Sequence, residues 1–136
     1  MLKRSESSGG VFLEDRINIL VVDDEETLLA LIQEVLEDRG YKVIASPSSR
    51  AALHMFSVAP SRFDLVIADE KMPELSGTDL AEEILRIRPD IPFILHTDYP
   101  DVPKEEKATG VGIRAIVRKS GSMRDLIACV CRFVDS

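Results

Sequence analysis

The chain has 136 residues, of which 45% are hydrophobic and 30% are charged, and its formal net charge at pH 7 is −7. This length and composition are typical of one globular domain with a single core. The acidic excess argues against nucleic-acid binding, which depends on lysine and arginine neutralising phosphates, and is compatible with a bound cation or a basic partner. No apolar run approaches the roughly 20 residues of a membrane-spanning helix, so we expect no membrane contact.

The first residues differ from the rest of the chain in composition. Residues 1–16 are predicted to form a flexible tail or linker, and residues 17–136 the folded domain, because Ser5 to Gly10 is rich in serine and glycine. The tail lacks the apolar core of a secretion signal. Cys129 and Cys131 lie two apart in a predicted helix and face different sides, so we expect packing residues rather than a metal or redox pair. These features favour a reducing cytoplasm.

Apolar runs alternate with amphipathic segments from residue 17 onward. The predicted strands are residues 17–22, 41–45, 64–68, 92–96 and 113–117. The predicted helices are residues 25–39, a helix capped by Ser48 or Ser49 and closed by Pro60, a helix from Gly77 or Thr78 to Pro89, a short helix at 104–108, and residues 123–134 with Ser122 as the cap. This alternation predicts an α/β fold with a parallel sheet covered on both faces.

Polar residues follow four of these strands. Asp23 and Asp24 follow the first strand, Asp69 the third, Thr97 the fourth and Lys119 the fifth. Because the carboxyl ends of parallel strands share one edge of the sheet, these side chains are expected to converge there.

Such a cluster has a definite chemical preference. Unpaired carboxylates held close together repel one another, and a hard cation such as Mg²⁺ relieves that repulsion. A phosphoryl group could then be balanced by Mg²⁺, the Thr97 hydroxyl and the Lys119 ammonium. Asp69 follows the central apolar strand and is the best placed nucleophile, since carboxylates act in this way in aspartyl-phosphate chemistry.

Simpler interpretations exist for each residue taken alone. Asp69 could be a solvated residue that ends a strand, Thr97 an ordinary strand residue and Lys119 an ordinary cation at a strand end. We interpret His54 and His96 as structural, because neither has a partner pattern and alternation turns His96 away from Thr97.

Four segments resemble the motifs of response-regulator receiver domains, and the resemblance covers residues 17–134. These segments are Ile19-Leu20-Val21-Val22-Asp23-Asp24-Glu25-Glu26, Asp69-x-x-Met72-Pro73-x-x-x-Gly77, Ile94-Leu95-His96-Thr97 and Val117-Arg118-Lys119. Each motif is weak by itself, but four in order at matching strand ends are specific. The resemblance implies a flavodoxin-like (βα)5 three-layer sandwich whose five-stranded parallel sheet has the order 2-1-3-4-5.

The resemblance also implies a function in two-component signal transduction or a phosphorelay. Asp69 would accept a phosphoryl group from a phosphohistidine on a histidine kinase or histidine phosphotransfer protein. Thr97 would hydrogen-bond the phosphoryl oxygen and Lys119 would pair with it. Such a domain helps to catalyse its own phosphorylation and dephosphorylation without being a turnover enzyme.

The metal site is implied in the same way. Asp24 and Asp69 would ligate Mg²⁺ directly, the main-chain carbonyl of Lys71 would add a third ligand, and Asp23 would act through a bound water. Mn²⁺ is expected to substitute for Mg²⁺.

Three positions depart from the family pattern. Asp98 replaces the usual Ala or Gly, and we hypothesise that its charge weakens phosphorylation by small anionic donors. Ile116 replaces the usual Tyr or Phe, so the aromatic half of the family's conformational switch is missing. Ser120 replaces the usual Pro, and a trans Lys119–Ser120 bond is expected because a cis bond before a non-proline residue costs about 2.5–4 kcal/mol.

Residues 98–112 are rich in Pro and Gly, which predicts a short and mobile fourth helix.

Other functions remain open at this stage. The three departures allow a degenerate receiver that acts as a phosphorylation-independent interaction module. A flavin- or dinucleotide-binding protein would need a Gly-rich turn after the first strand, where Asp23 and Asp24 stand instead. A hydrolase would need a placed base, and neither histidine is one. The chain is expected to be either a single-domain regulator or a receiver from a larger protein, with the C-terminal receivers of hybrid sensor kinases the most similar.

Overall fold

The computed structural model describes residues 16–134, so the predicted tail lies outside the described residues except for Arg16. Five strands pair in parallel in the order 2-1-3-4-5, which confirms the predicted topology. They are β1 (Asn18–Val22), β2 (Lys42–Ser46), β3 (Leu65–Ala68), β4 (Phe93–His96) and β5 (Ala115–Val117).

Between residues 16 and 134, five helices connect and follow the strands. They are α1 (Glu26–Asp38), α2 (Ser49–Val58), α3 (Gly77–Ile87), α4 (Glu105–Val111) and α5 (Met123–Val134), with a 3₁₀ turn at Pro60–Arg62 after α2. Serine side chains cap two of them: Ser48 accepts the Ala51 amide at the start of α2, and Ser76 accepts the Asp79 amide at the start of α3. Both bonds satisfy amides that the first helical turn leaves free.

Alternate residues of each strand face two separate cores. Leu20, Val66 and Leu95 pack with residues of α2, α3 and α4, whereas Ile19, Ile67 and Ile94 pack with residues of α1 and α5. The central strands are therefore buried on both faces, which explains why their sequences are continuous apolar runs rather than alternating patterns. Cys129 is buried in the second core and Cys131 is partly buried, and both are free thiols.

The register of the sheet places the strand ends side by side. Val22 lies opposite Ala68, and Ala68 lies opposite Leu95. The pairing continues one step further, since the Asp69 amide donates to the Val22 carbonyl over 3.1 Å. The residues that follow β1, β3 and β4 therefore emerge at the same edge of the sheet.

Most differences from the predicted elements are one or two residues at an end, where helices fray and strand pairing stops. The largest concerns α4, which was predicted to end at Ala108 but continues to Val111. Gly110 lies inside this helix, and Gly112, with a φ of 106°, ends it in the left-handed conformation that glycine tolerates best. The 3₁₀ turn at Pro60–Arg62 was not predicted.

Candidate functional site

A polar pocket opens at the edge of the sheet where the strands end. Eight residues line it: Asp24, Glu25, Asp69, Lys71, Thr97, Asp98, Asp101 and Lys119. Asp23 does not line the pocket, but it is buried next to it and forms an ion pair with Lys119. The structure thus brings together all five side chains that the sequence predicted to converge.

Asp69 is held at the centre of this group. Its side chain is only 8% exposed. Oδ1 accepts the amide of Glu70 over 2.8 Å, and Oδ2 lies 3.1 Å from Nζ of Lys119. These two contacts fix the carboxylate at the carboxyl end of the central strand β3, facing the pocket.

Lys119 joins the two buried carboxylates. Its Nζ lies 3.0 Å from Oδ2 of Asp23, 3.1 Å from Oδ2 of Asp69 and 3.4 Å from Oε1 of Glu25. Burial acts to lower the pKa of Lys119, but the hydrogen bonds to Asp23 and Asp69 outweigh it and raise that pKa above its ordinary value. Lys119 is therefore a permanent cation at neutral pH.

Asp23 is the most deeply buried acid of the group, with a side chain 2% exposed. Burial raises its pKa above the ordinary value, and the Glu25 amide and Lys119 partly offset this rise. Its Oδ1 accepts the Glu25 amide over 2.9 Å. Asp23 is thus held in place by one backbone bond and one ion pair.

The three aspartates form a set suited to a cation. One carboxylate oxygen each from Asp23, Asp24 and Asp69 lies within 4.8 Å of the others. Asp24 is exposed while the other two are buried, so the set is reachable from the pocket. Oxygen-only ligands with one open side fit Mg²⁺, which binds through a few carboxylates and keeps several waters.

Thr97 contributes a hydroxyl that has no partner within the described part of the chain. The residue is 1% exposed, and its Oγ1 is buried without a hydrogen bond. A buried hydroxyl without a partner is costly, so its presence at the pocket wall points to an acceptor that binds there. His96, the preceding residue, is also buried and its Nδ1 has no hydrogen bond, but it does not line the pocket.

Glu70 and Gly77 support the site in a way that the sequence analysis did not predict. The Glu70 carboxylate accepts from both the amide and the hydroxyl of Thr78, over 2.8 and 2.7 Å, while its carbonyl accepts the Gly77 amide. A Cβ at Gly77 would overlap the carbonyl oxygen of Asp69 and the side chain of Leu95. The start of α3 is therefore packed directly against the backbone of Asp69.

The departures at positions 98 and 120 lie in contact with each other. Oδ1 of Asp98 accepts the Ser120 amide over 2.8 Å. This bond and the Ser120 hydroxyl lower the pKa of Asp98. The Lys119–Ser120 bond is trans, which confirms the expectation, and the cis bond among residues 16–134 is Tyr99–Pro100.

Ile116 is half-buried and packs against the core that contains Ala108 of α4. The side chain at this position therefore belongs to the hydrophobic core and does not line the polar pocket.

The chain matches the family model described as response regulator receiver domain over residues 19–131. It is 33% identical to the response regulator SaeR of Staphylococcus aureus over 110 residues, covering 81% of this chain but 47% of SaeR. The chain thus spans about half the length of the curated relatives it matches.

Solved structures give the same result. The receiver domain protein from Clostridium thermocellum is 34% identical with a TM-score of 0.82, covering 88% of this chain and 94% of that one. The response regulator TrrA from Thermotoga maritima, solved in complex with Mg²⁺-BeF, is 32% identical with a TM-score of 0.78, covering 86% of this chain and 98% of that one. The chain therefore belongs to the family of response regulator receiver domains.

Proposed function

We propose that this domain accepts a phosphoryl group on Asp69 in a Mg²⁺-dependent reaction. The single observation that carries the proposal is the position of Lys119, whose ammonium lies 3.1 Å from Asp69 and 3.0 Å from Asp23. A cation in this position lies next to the Asp69 carboxylate and can balance the charge of a phosphoryl group carried there, which suits a nucleophile that must end up carrying a phosphoryl dianion.

The chemistry assigns each side chain one role. An oxygen of Asp69 attacks phosphorus, the P–N bond of the phosphohistidine breaks, and the departing imidazole takes up a proton. The product is an acyl phosphate whose added charge is paired by Lys119 and hydrogen-bonded by the Thr97 hydroxyl, which has no hydrogen bond to any residue between 16 and 134.

Mg²⁺ fits the acidic set by its donor chemistry. Asp24 and Asp69 are the proposed direct ligands, with the Lys71 carbonyl as a third and Asp23 acting through water. When bound, the ion supplies positive charge opposite the phosphoryl oxygens. Mn²⁺ is proposed as a substitute, since it also prefers oxygen ligands.

The proposed partner is a histidine kinase or a histidine phosphotransfer protein, and the proposed setting is the cytoplasm. None of the helices within residues 16–134 combines the length and apolarity that crossing a membrane requires. The proposed domain runs from residue 17 to 136 with residues 1–16 as a tail or linker, either as a single-domain regulator or as the receiver of a larger protein such as a hybrid kinase.

Asp98 is proposed to influence the choice of donor. It lines the pocket together with four other carboxylate residues, Asp24, Glu25, Asp69 and Asp101. This negative charge opposes small anionic donors such as acetyl phosphate. Removing the charge with Asp98→Asn is expected to raise the rate of uptake from acetyl phosphate more than from the less anionic phosphoramidate.

Ile116 is proposed to limit the structural response. Its side chain has no ring that could change rotamer with Thr97, and it packs against the core that also contains Ala108 of α4. The response to phosphorylation would then be confined to the loops after β3 and β4 rather than extending to β5.

Phosphotransfer profiling tests the proposal. Candidate phosphorylated kinases and phosphotransfer proteins are mixed with the domain in Mg²⁺ or in EDTA, and transfer of label is followed with time. The proposal predicts rapid transfer from at least one donor, only with the metal. An interaction module would bind a partner equally well as wild type and as Asp69→Asn without ever carrying the label.

A further inference from the structure

The carboxylate of Asp98 connects two loops that are distant in sequence. It accepts the backbone amide of Ser120 over 2.8 Å, so the loop after β4 is bonded to the loop after β5. The bond from the Ser120 amide is the main cause that lowers the pKa of Asp98, so it favours the ionised carboxylate. Hydrogen bonds from an amide to an ionised carboxylate are stronger than those between neutral groups.

This contact lies just beyond the backbone hydrogen bonds that join the ends of β4 and β5. The Thr97 amide donates to the Val117 carbonyl over 3.0 Å, and the Lys119 amide donates to the Thr97 carbonyl over 3.3 Å. The bond from the Ser120 amide follows these two along the chain, and its acceptor is the side chain of Asp98 rather than a backbone carbonyl. The backbone at Lys119 is therefore held by two hydrogen bonds. Its own amide donates to the Thr97 carbonyl, and the amide of the next residue, Ser120, donates to the Asp98 carboxylate.

We propose that Asp98 is a positioning residue for Lys119: by binding the Ser120 amide, it fixes the turn that directs the ammonium of Lys119 at Asp69. Lys119 lies in the loop after β5, and from there its ammonium must reach both Asp69, at 3.1 Å, and Asp23, at 3.0 Å. The turn after Lys119 is also closed on itself, because the Gly121 amide donates to the Arg118 carbonyl over 3.1 Å, whereas the bond from Asp98 ties Ser120 to the loop after β4.

The donor side of this bond depends on the residue type at position 120. Serine keeps its backbone N–H in a trans peptide, whereas proline at the same position would have no hydrogen to donate. Asp98 thus acts only in a chain that has a non-proline residue at position 120.

Asp98 also carries charge near Lys119, and this effect must be separated from the hydrogen bond. Asp98→Asn removes the charge but keeps a side-chain oxygen that can accept the Ser120 amide. Asp98→Ala removes both. The ratio of the two rates therefore reports the hydrogen bond alone, since neither variant has a charge at position 98.

The experiment measures the first-order rate of phosphoryl uptake from phosphoramidate in saturating Mg²⁺. Asp98→Asn is expected to be about twofold to tenfold faster than Asp98→Ala, as the loss of one hydrogen bond implies. In the Ser120→Pro background, which has no amide to bind, the two variants should react at equal rates. Asp101→Asn and Asp101→Ala, at another acidic position of the same pocket, should also equal each other.

Equal rates for Asp98→Asn and Asp98→Ala in the Ser120 background would overturn the proposal, as would a ratio unchanged by Ser120→Pro. Should Ser120→Pro fail to fold, exchange of the Ser120 amide with deuterium decides: it should be slower in wild type and Asp98→Asn than in Asp98→Ala. This proposal deepens the phosphoacceptor function, and the exchange measurement distinguishes the two because it needs no phosphorylation. Equal exchange in all three proteins would refute the positioning role even if Asp69 is phosphorylated.

Discussion

The ammonium of Lys119 lies 3.1 Å from the carboxylate of Asp69, although the strands that precede them, β5 and β3, are separated in the sheet by β4. The side chain therefore extends across the end of β4 to reach its partner. It meets Asp23 at the same time, so one cation balances two carboxylates that would otherwise repel each other.

Lys119→Met should separate metal binding from phosphorylation. Removing the ammonium takes away the positive charge that competes with Mg²⁺ for Asp23 and Asp69, so Mg²⁺ should bind about tenfold more tightly. The same change removes the cation that pairs with the phosphoryl group, so the uptake rate should fall by roughly 100-fold. Isothermal titration calorimetry and intact-protein mass spectrometry measure the two effects.

Lys71→Met is the matched control, because Lys71 lines the same pocket but its side chain is exposed. It should change Mg²⁺ affinity far less than Lys119→Met. Weaker Mg²⁺ binding in Lys119→Met would show that the ammonium does not compete with the metal for these carboxylates.

Gly77→Ala should disturb Asp69 through the backbone. The new methyl group would overlap the carbonyl oxygen of Asp69 and the Leu95 side chain, so either α3 or the Asp69 backbone has to shift. We expect a loss of about 1–3 kcal/mol in the free energy of unfolding, which is the usual cost of overpacking, together with slower phosphorylation. Urea titration and the uptake rate provide the measurements.

Gly110→Ala provides the comparison for this substitution. Gly110 lies inside α4, and a Cβ there would have no neighbour within 4 Å. Alanine should stabilise the helix by about 0.5–1 kcal/mol relative to glycine. If Gly77→Ala were equally harmless, the close approach between α3 and Asp69 would not restrict position 77.

His96 should make the domain less stable as the pH falls. Burial, with a smaller contribution from the nearby Lys119, lowers the pKa of His96 to about 4, whereas the unfolded chain keeps a value near 6.5. Between these values the unfolded chain binds a proton that the folded protein does not. His96 therefore does not reduce the free energy of unfolding above pH 6.5, and it reduces that free energy by up to roughly 3 kcal/mol as the pH drops to 4.

The measurement is the free energy of unfolding from pH 4 to 7 in wild type and in His96→Gln. Asp23 gives the opposite slope, because burial raises its pKa in the folded protein, so only the difference between the two proteins reports His96. In His96→Gln, the free energy of unfolding should fall much less between pH 6.5 and pH 4 than it does in wild type. An unchanged pH profile would mean that His96 is protonated in the folded protein as readily as in the unfolded chain.

The fourth helix should exchange its amides faster than the last one. α4 has seven residues, and residues 104–107 at its start are exposed, whereas α5 has twelve residues and four buried side chains. Few buried contacts imply a low free energy of local opening. Hydrogen exchange at residues 105–108 should therefore show little protection, and protection equal to that of α5 would contradict the prediction.

The fold was predictable because the apolar runs of the sheet are short, continuous and separated by helical patterns. These apolar runs indicated where each strand begins and ends. The predicted strand order, 2-1-3-4-5, is the observed one. The end of α4 was missed because Gly110 is a poor helix former, and only the left-handed Gly112 shows where the helix stops. The 3₁₀ turn at Pro60–Arg62 has no distinct sequence pattern.

The convergence of acidic, hydroxyl and ammonium groups was predictable from strand ends alone. Their supporting bonds were not, because they join residues whose spacing has no period: Glu70 with Thr78, and Asp98 with Ser120. The contact of Glu25 was not predicted either, although its carboxylate lies 3.4 Å from Nζ of Lys119. Such contacts depend on side-chain direction in loops, which propensity and hydrophobic patterning do not encode.

The most direct test of the account is the intact mass of the domain after incubation with phosphoramidate and Mg²⁺. The account predicts that wild type gains the mass of one phosphoryl group, that EDTA prevents the gain, and that Asp69→Asn does not gain it under any of these conditions. A wild-type protein that stays unmodified, or an Asp69→Asn variant that is modified as fast as wild type, would contradict it.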